Sequence, residues 1–185
     1  MFIQTEETPN PATLKFIPGR AVMPSGTANL TSAEEAKRSP LAERLFDVEG
    51  VAGVFLGSDF VTVTKSADQD WHLMKPAILG VIMEHFTANR PVVVATAPGD
   101  GASGEGGEAD SEIVTQIKEL LETRVRPAVA QDGGDIIFQG FEDGVVLLHL
   151  QGSCSGCPSS TATLKMGIEN MLKHYIPEVT EVRAV

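Results

Sequence analysis

Along the C-terminal part of the chain, the spacing of apolar residues changes several times between the helical and the strand pattern. Residues 111–131 have Ser111 as a candidate N-cap, and apolar side chains follow at helical spacing at Ile113, Ile117, Leu120, Leu121 and Val125. Pro127 lies late in this segment and is expected to bend or end the helix, because proline has no backbone N–H. The runs GGDIIFQGF and GVVLLHL then predict two strands, joined by a tight turn at Asp143-Gly144.

After the second strand the chain passes through a loop with both of its cysteines and returns to helical spacing in PSSTATLKMGIENMLKHYI. The segment EVTEVRAV closes the chain as a short strand. The predicted order is therefore helix, strand, strand, cysteine loop, helix, strand.

The N-terminal part has shorter patterns. The segment LKFIPG predicts one strand, and VAGVFLGSDFVTVTK predicts two strands that form a hairpin with its turn at GSD. The segment SPLAERLFDV predicts a short helix with Ser39 as N-cap and Pro40 at the first helical position. A longer helix is predicted in DWHLMKPAILGVIMEHF, starting at Asp70 or Lys75, and PVVVA is a candidate for one further strand.

The stretch TAPGDGASGEGGEAD separates these two parts. It contains no large apolar side chain, and glycine, alanine, serine and acidic residues dominate it, as in a flexible, self-repelling linker. We therefore predict an N-terminal domain at 1–95, a linker at 96–110 and a C-terminal domain at 111–185. The fold class is α/β (α+β), with two small mixed domains joined by a flexible glycine-rich acidic linker.

Composition and charge exclude several functions. The chain is 42% hydrophobic, which is enough for two cores, and its formal net charge is −11. Its longest basic run is Lys37-Arg38, so nucleic acid and anionic membranes are not expected partners. No apolar run approaches the roughly 18–20 residues that span a bilayer. The start of the chain lacks secretory and transit-peptide patterns, which predicts a cytosolic protein or a trimmed mature form.

The two cysteines, Cys154 and Cys157, lie in the stretch GSCSGCPSS at 152–160. An incidental structural pair is disfavoured, because inert cysteines rarely lie two residues apart in a Gly/Ser loop between a strand and a helix. A thioredoxin-like dithiol site also has CxxC between a strand and a helix. That fold needs further strands after the helix, however, and only about ten residues follow it here.

Metal binding by this motif requires more ligands than one chain supplies. Zinc needs four, and the histidines are scattered at His72, His85, His149 and His174. An iron–sulfur cluster is typically held by four thiolates. The cluster would therefore need a partner with two further cysteines, or a symmetric homodimer with the cluster on its two-fold axis. Such a cluster is exposed and weakly held, which suits a carrier.

The neighbours of the cysteines favour anionic ligands. Gly152 and Gly156 have no β-carbon and let backbone N–H groups approach sulfur or sulfide. Pro158 fits the first position of the following helix, whose positive end would then point at the thiolates. Elsewhere in the chain no acid–base pair or nucleophile–base arrangement indicates an enzyme, and no phosphate-binding loop is present.

At this point the residues show a family resemblance. The segments RPAVAQDGGDI and GSCSGCPSSTATLKMGIENML, with the two strands between them, resemble the Nfu family, the scaffold and carrier proteins related to the C-terminal part of NifU. The segments TPNPATLKFIPG, SPLAERLF, GVAGVFLGSDFVTVTK and WHLMKP resemble that family's N-terminal domain. The DGGD sequence at 132–135 matches a family signature, which we interpret as a tight turn that needs glycine before a strand rather than as a direct part of the site.

The resemblance implies that two C-terminal domains share a [4Fe–4S] cluster, with Cys154 and Cys157 as the ligands from each chain. It implies a homodimer when the cluster is bound, apo iron–sulfur proteins as recipients and an upstream cluster-assembly scaffold as donor. We expect a bacterial cytoplasmic protein, with a mature form in the mitochondrial matrix as the alternative. The competing function is a thioredoxin-like dithiol oxidoreductase that uses the same two cysteines.

Overall fold

The computed structural model describes residues 1–94, 108–154 and 158–185, with the main chain alone for 108–111 and 158–160. Contacts within the chain divide it into two compact units, Met1–Gly99 and Asp100–Val185. Each unit combines helices with one sheet, so the predicted mixed fold class is confirmed. Most of the linker predicted at 96–110 lies outside the described residues.

The N-terminal unit is built on a five-stranded antiparallel sheet in the order β1-β2-β5-β4-β3. Its elements in the described residues are β1 Gln4–Glu7, β2 Thr13–Ile17, β3 Ala28–Leu30, α1 Ala33–Ala36, α2 Pro40–Phe46, β4 Val51–Leu56, β5 Val61–Lys65 and α3 Trp71–Thr87. Strands β4 and β5 form the predicted hairpin, with Leu56 opposite Val61. The short strands β1 and β3 were not predicted.

Side-chain caps fix where the helices of this unit begin. The Ser39 hydroxyl accepts the backbone N–H of Ala42 at 3.1 Å, so α2 starts at Pro40 as predicted. Asp70 caps α3 by accepting the N–H of His72 at 2.9 Å. The earlier of the two predicted starts is therefore right, and Pro76 lies inside the helix.

The prediction of a strand at PVVVA is wrong for residues 91–94, which form no strand; Ala95 lies outside the described residues. Instead, the segment is held at the start of α2 by separate hydrogen bonds. The carbonyl of Val92 accepts the Ser39 hydroxyl, and the N–H of Val94 donates to the carbonyl of Arg38 at 3.0 Å. Partly buried Val92 and Val93 pack against the core without joining the sheet.

The C-terminal unit has a three-stranded sheet in the order β6-β7-β8, with β8 parallel to β7. Its elements in the described residues are α4 Glu108–Leu120, a π-helical turn Leu121–Val125, α5 Arg126–Gln131, β6 Gly134–Glu142, β7 Val145–Gly152, α6 Pro158–Tyr175 and β8 Glu181–Ala184. The order matches the prediction. However, α4 begins at Glu108, so Ser111 lies within the helix and is not its N-cap.

The π-helical turn explains how the helix passes Pro127. Proline cannot donate to the carbonyl four residues earlier, and its ring crowds the preceding turn. The helix widens over Leu121–Val125 and then continues to Gln131, so it neither ends nor breaks at the proline.

The hairpin β6–β7 turns at the predicted Asp143-Gly144. The φ angles are +50° at Asp143 and +79° at Gly144, and a type I′ hairpin turn requires positive values at both central residues. The core of the unit combines side chains from all its helices and strands, namely Ile117, Leu121, Val125, Val129, Ile136, Val146, Leu148, Ile168, Leu172, Ile176, Val179 and Val182. Cys154 belongs to the same cluster.

Candidate metal centre

Cys154 lies two residues beyond the end of β7, at the edge of the C-terminal core. Its exposed fraction is 6%. The following helix α6 begins at Pro158, the residue predicted for that position. Of the two predicted ligands the structure places Cys154, whereas Cys157 lies outside the described residues.

The start of β6 lies directly against the thiol of Cys154. A β-carbon at Gly134 would be 2.7 Å from the Sγ of Cys154, 2.7 Å from the carbonyl oxygen of Gln151 and 3.2 Å from the backbone nitrogen of Cys154. The first two distances are shorter than contacts that real β-carbons make, so the neighbouring atoms leave room for glycine and not for a side chain at this position. In the sheet register Gly134 faces Gly152. The thiol therefore lies at the end of the hairpin opposite its turn, where two glycines face each other.

A turn before β6 holds the cysteine loop from the other side. The backbone N–H of Ser153 donates to the carbonyl of Gly133 at 3.3 Å, and the Ser153 hydroxyl donates to the carbonyl of Asp132. Gly133 has a φ of +79°, in the left-handed region that favours glycine. The DGGD segment is thus a tight turn that needs glycine, as interpreted from the sequence. It also contacts the thiol through Gly134, which the sequence interpretation missed.

An ion pair between a half-exposed arginine and a buried aspartate fixes the residue after Gly134. The guanidinium of Arg126 donates from Nε to Oδ1 and from Nη2 to Oδ2 of Asp135, both at 2.9 Å. Asp135 is 3% exposed, and its Oδ1 also accepts the backbone N–H of Ile136 at 2.8 Å. Hydrogen bonding to Asp135 raises the pKa of Arg126 above its usual value, so the guanidinium stays charged. This pair ties α5 to the first residues of β6.

Helix α6 is attached to the same point. The Thr161 hydroxyl donates to the carbonyl of Cys154 at 3.1 Å, so the first turns of α6 lie beside the cysteine. The unpaired N–H groups at the start of a helix favour negative charge nearby. Three elements therefore converge on Cys154: the start of β6, the end of β7 and the start of α6.

The four histidines are distributed over both units. His72 and His85 belong to α3 in the N-terminal unit, and His85 is fully buried there. In the C-terminal unit, Nδ1 of His149 lies 2.8 Å from the carbonyl of Val185, and His174 packs edge-on against Tyr175. Within the described ranges, no three His, Cys, Asp or Glu side chains are grouped to hold a metal ion. No helix in those ranges is long and apolar enough to cross a membrane.

Comparison with known proteins assigns both units. Residues 3–89 match the family described as scaffold protein Nfu/NifU N terminal. Residues 117–183 match the NifU-like domain family. The two matches occur in the order that the sequence segments predicted.

Similar proteins span the whole chain. The human protein named "NFU1 iron-sulfur cluster scaffold homolog, mitochondrial" is 55% identical over 187 residues, covering 100% of this chain and 72% of its own length. "NifU-like protein 5, mitochondrial" of Arabidopsis thaliana is 54% identical, covering 98% of this chain and 67% of its own length. The Drosophila ananassae protein with the human protein's name is 52% identical, covering 100% of this chain and 64% of its own length.

These names overturn one prediction. We expected a bacterial cytoplasmic protein, but the matched relatives are named mitochondrial, which agrees with the alternative of a mitochondrial protein. The sequence pattern at the start of the chain was a poor basis for predicting localisation. The two domain matches and the relatives of more than 50% identity show that this chain belongs to the Nfu family of iron–sulfur cluster scaffold proteins.

Proposed function

We propose that this protein is a carrier and not an enzyme: two chains hold a [4Fe–4S] cluster between their Cys154 and Cys157 thiolates and pass it to apo iron–sulfur proteins. The observation that carries the proposal is the position of Cys154. It lies where β6, β7 and α6 converge, next to a glycine that admits no side chain.

The surroundings of Cys154 suit a ligand that has to be held in place. Hydrogen bonds from Ser153 and Thr161 fix the backbone on both sides of the cysteine. The Arg126–Asp135 pair holds the strand that passes the thiol. Precise ligand placement of this kind requires support from residues outside the ligand set.

Ligand number supports a bridge between two chains. The sequence contains two cysteines, whereas a cubane cluster takes four thiolates. The described residues add no further group of ligands on the same chain. A second copy of the chain supplies the two missing thiolates. If the two chains are related by a two-fold axis, the cluster lies on that axis.

Transfer is a sequence of ligand exchanges. In each step one iron–sulfur bond forms to a recipient cysteine and one breaks to Cys154 or Cys157. The proton lost by the incoming thiol is taken up by the departing thiolate, and no electron is transferred. An upstream cluster-assembly scaffold donates the cluster by the same exchange, and apo-proteins receive it.

The competing dithiol oxidoreductase has less support. Only the four-residue strand β8 follows α6 in the C-terminal unit, whereas a thioredoxin-like fold requires more strands after the CxxC helix.

The proposal is tested by anaerobic reconstitution of the full chain with iron and sulfide, followed by native mass spectrometry. We expect two chains with four irons and four sulfides. Cys154→Ala and Cys157→Ala should each lose the cluster while the far-UV circular dichroism remains unchanged. Stoichiometric cluster in either variant would refute the ligand assignment. A colourless monomer with an oxidised Cys154–Cys157 pair would favour the oxidoreductase.

A further inference from the structure

The cysteine loop is followed by a helix that exposes small and apolar side chains near its start. On this exposed face of α6 lie Ala162, Met166 and Gly167. Met166 is 66% exposed, and a β-carbon at Gly167 would meet nothing within 4 Å. The opposite face of the helix is in the core, where Ile168 and Leu172 are buried. A large apolar side chain therefore projects from a surface that this unit leaves open.

This surface also differs from the rest of the chain in charge. From Gly152 to Tyr175 the charged residues are Lys165, Glu169 and Lys173, although the chain has a net charge of −11. The one acid among them, Glu169, lies one helical turn after Met166 and is paired with Lys173 at 2.6 Å. Two copies of such an acidic chain repel each other over most of their surfaces. Their approach is opposed least where acidic side chains are few and paired with lysine, and a cluster with four thiolates adds negative charge at the same place.

The position of the face relative to the cysteine is fixed by contacts. The Thr161 hydroxyl is bonded to the carbonyl of Cys154, Ala162 follows directly, and Met166 lies one helical turn further along the same face. A second chain that adds its thiolates next to Cys154 has to come close to this part of α6.

We propose that Ala162, Met166 and Gly167 form the surface on which a second copy of this chain docks when two chains share a cluster. The proposal rests on the proposed function, because the shared cluster is what brings two copies to this place. In a two-fold arrangement the same residues approach each other. The small side chains at 162 and 167 leave room for the Met166 side chain of the partner copy.

The test compares charges introduced on two exposed helix faces. Met166→Glu adds an acid to the proposed surface, and Leu73→Glu adds one on α3 of the N-terminal unit, at a residue that is 77% exposed. After anaerobic reconstitution of the full chain, native mass spectrometry measures the fraction of cluster-bridged dimer. We expect a decrease of about tenfold for Met166→Glu, from like charges brought together, and none for Leu73→Glu.

A mixing experiment separates docking from a loss of folding. Met166→Glu and Met166→Lys should each form little dimer alone, but a mixture with one of them isotopically labelled should recover the mixed dimer with its cluster. Far-UV circular dichroism verifies the fold of each variant. If Met166→Glu does not fold, Ala162→Glu on the same face takes its place.

The outcomes distinguish this proposal from the one on which it rests. If the unchanged protein forms no bridged dimer, the proposed function fails first. If it forms the dimer and Met166→Glu forms it equally well, the docking surface is wrong and the carrier function stands. If Met166→Glu forms the dimer but no longer delivers the cluster to an apo-protein, the surface contacts recipients, and self-docking is refuted.

Discussion

The two units each contain a hairpin of neighbouring antiparallel strands, and they use it differently. In the N-terminal unit the turn end of β4–β5 is filled with fully buried side chains, including Leu56, Val61 and Val63. In the C-terminal unit the open end of β6–β7 carries two facing glycines, Gly134 and Gly152, beside Cys154. The first hairpin contributes side chains to the core, whereas the second has glycines at its open end, where the cysteine loop packs. The comparison indicates that a change in the N-terminal hairpin unit should affect stability alone, whereas a change at the open end of β6–β7 should also affect cluster binding.

The largest effect is expected in the N-terminal core. Ile78 on α3 is fully buried, and Ile78→Ala should lower the free energy of unfolding of that unit by about 2–5 kcal/mol through the cavity it leaves. Denaturation followed by the fluorescence of Trp71, the one tryptophan in the chain, measures this. Cluster stoichiometry should not change. Leu73→Ala, on the same helix at 77% exposure, is the control and should have little effect.

The next effect tests the glycine beside the thiol. Gly134→Ala places a carbon 2.7 Å from Sγ of Cys154 and from the carbonyl of Gln151, so we expect a destabilisation of about 1–3 kcal/mol and loss of bound cluster. Gly140→Ala in the same strand is the matched control, because its β-carbon would meet only Leu147, at 3.9 Å. Iron per chain and thermal unfolding measure both. Equal iron content in the two variants would show that the close approach at 134 does not matter for the site.

A smaller effect is expected from the ion pair. Arg126→Met removes the guanidinium that pairs with the buried Asp135 carboxylate and should cost about 1–3 kcal/mol. The cost stays below that of a fully buried pair because the Arg126 side chain is 36% exposed. The exposed pair between Arg183 and Glu181 at 3.5 Å provides the control. Arg183→Met should change stability by no more than about 0.5 kcal/mol. Urea denaturation followed by far-UV circular dichroism compares the two variants, and equal stabilities would contradict this ranking.

The smallest effect is a pH dependence confined to the N-terminal unit. Burial, and then the charge of Arg44, lowers the pKa of His85 below its usual 6.5. At a pH between the two pKa values, His85 is therefore protonated in the unfolded chain and neutral in the folded unit. The free energy of unfolding should fall as the pH drops below about 6.5, and the loss is complete below the pKa of the folded unit.

The pH effect is measured by urea denaturation, followed by Trp71 fluorescence between about pH 7.5 and 5.5. His85→Leu should remove this part of the pH dependence. His72→Gln on the exposed side of α3 should retain it. A slope that persists unchanged in His85→Leu would assign the effect to other groups.

The sequence predicted the elements whose signals are local. Ser39 with Pro40 defines the start of α2, and Asp143-Gly144 defines a hairpin turn, because each requires only neighbouring residues. The strands β1 and β3 escaped prediction because they are short and mostly polar or half-exposed. The segment at 91–95 was predicted as a strand because it is apolar. Hydrophobicity alone, however, does not show whether a segment joins a sheet.

The sequence could propose the ligand residues, but it could not predict the geometry around them. Both cysteines were singled out by their spacing, and the structure places Cys154, but the role of both cysteines as cluster ligands remains a prediction. The glycines of DGGD were recognised as a turn, but the contact between Gly134 and Cys154 joins residues that are distant along the chain. The Arg126–Asp135 pair joins a helix to a strand across that turn. Such contacts depend on how the elements pack, which no local pattern shows.

The close approach at Gly134 also has an evolutionary consequence. Every amino-acid replacement there adds at least a β-carbon, so no conservative substitution exists at this position. Two of the three short contacts are with the backbone, at Gln151 and Cys154, and are independent of the thiol. Selection should therefore preserve glycine at 134 even in a relative that has lost the cysteine, whereas Gly140, six residues along the same strand, should be free to vary.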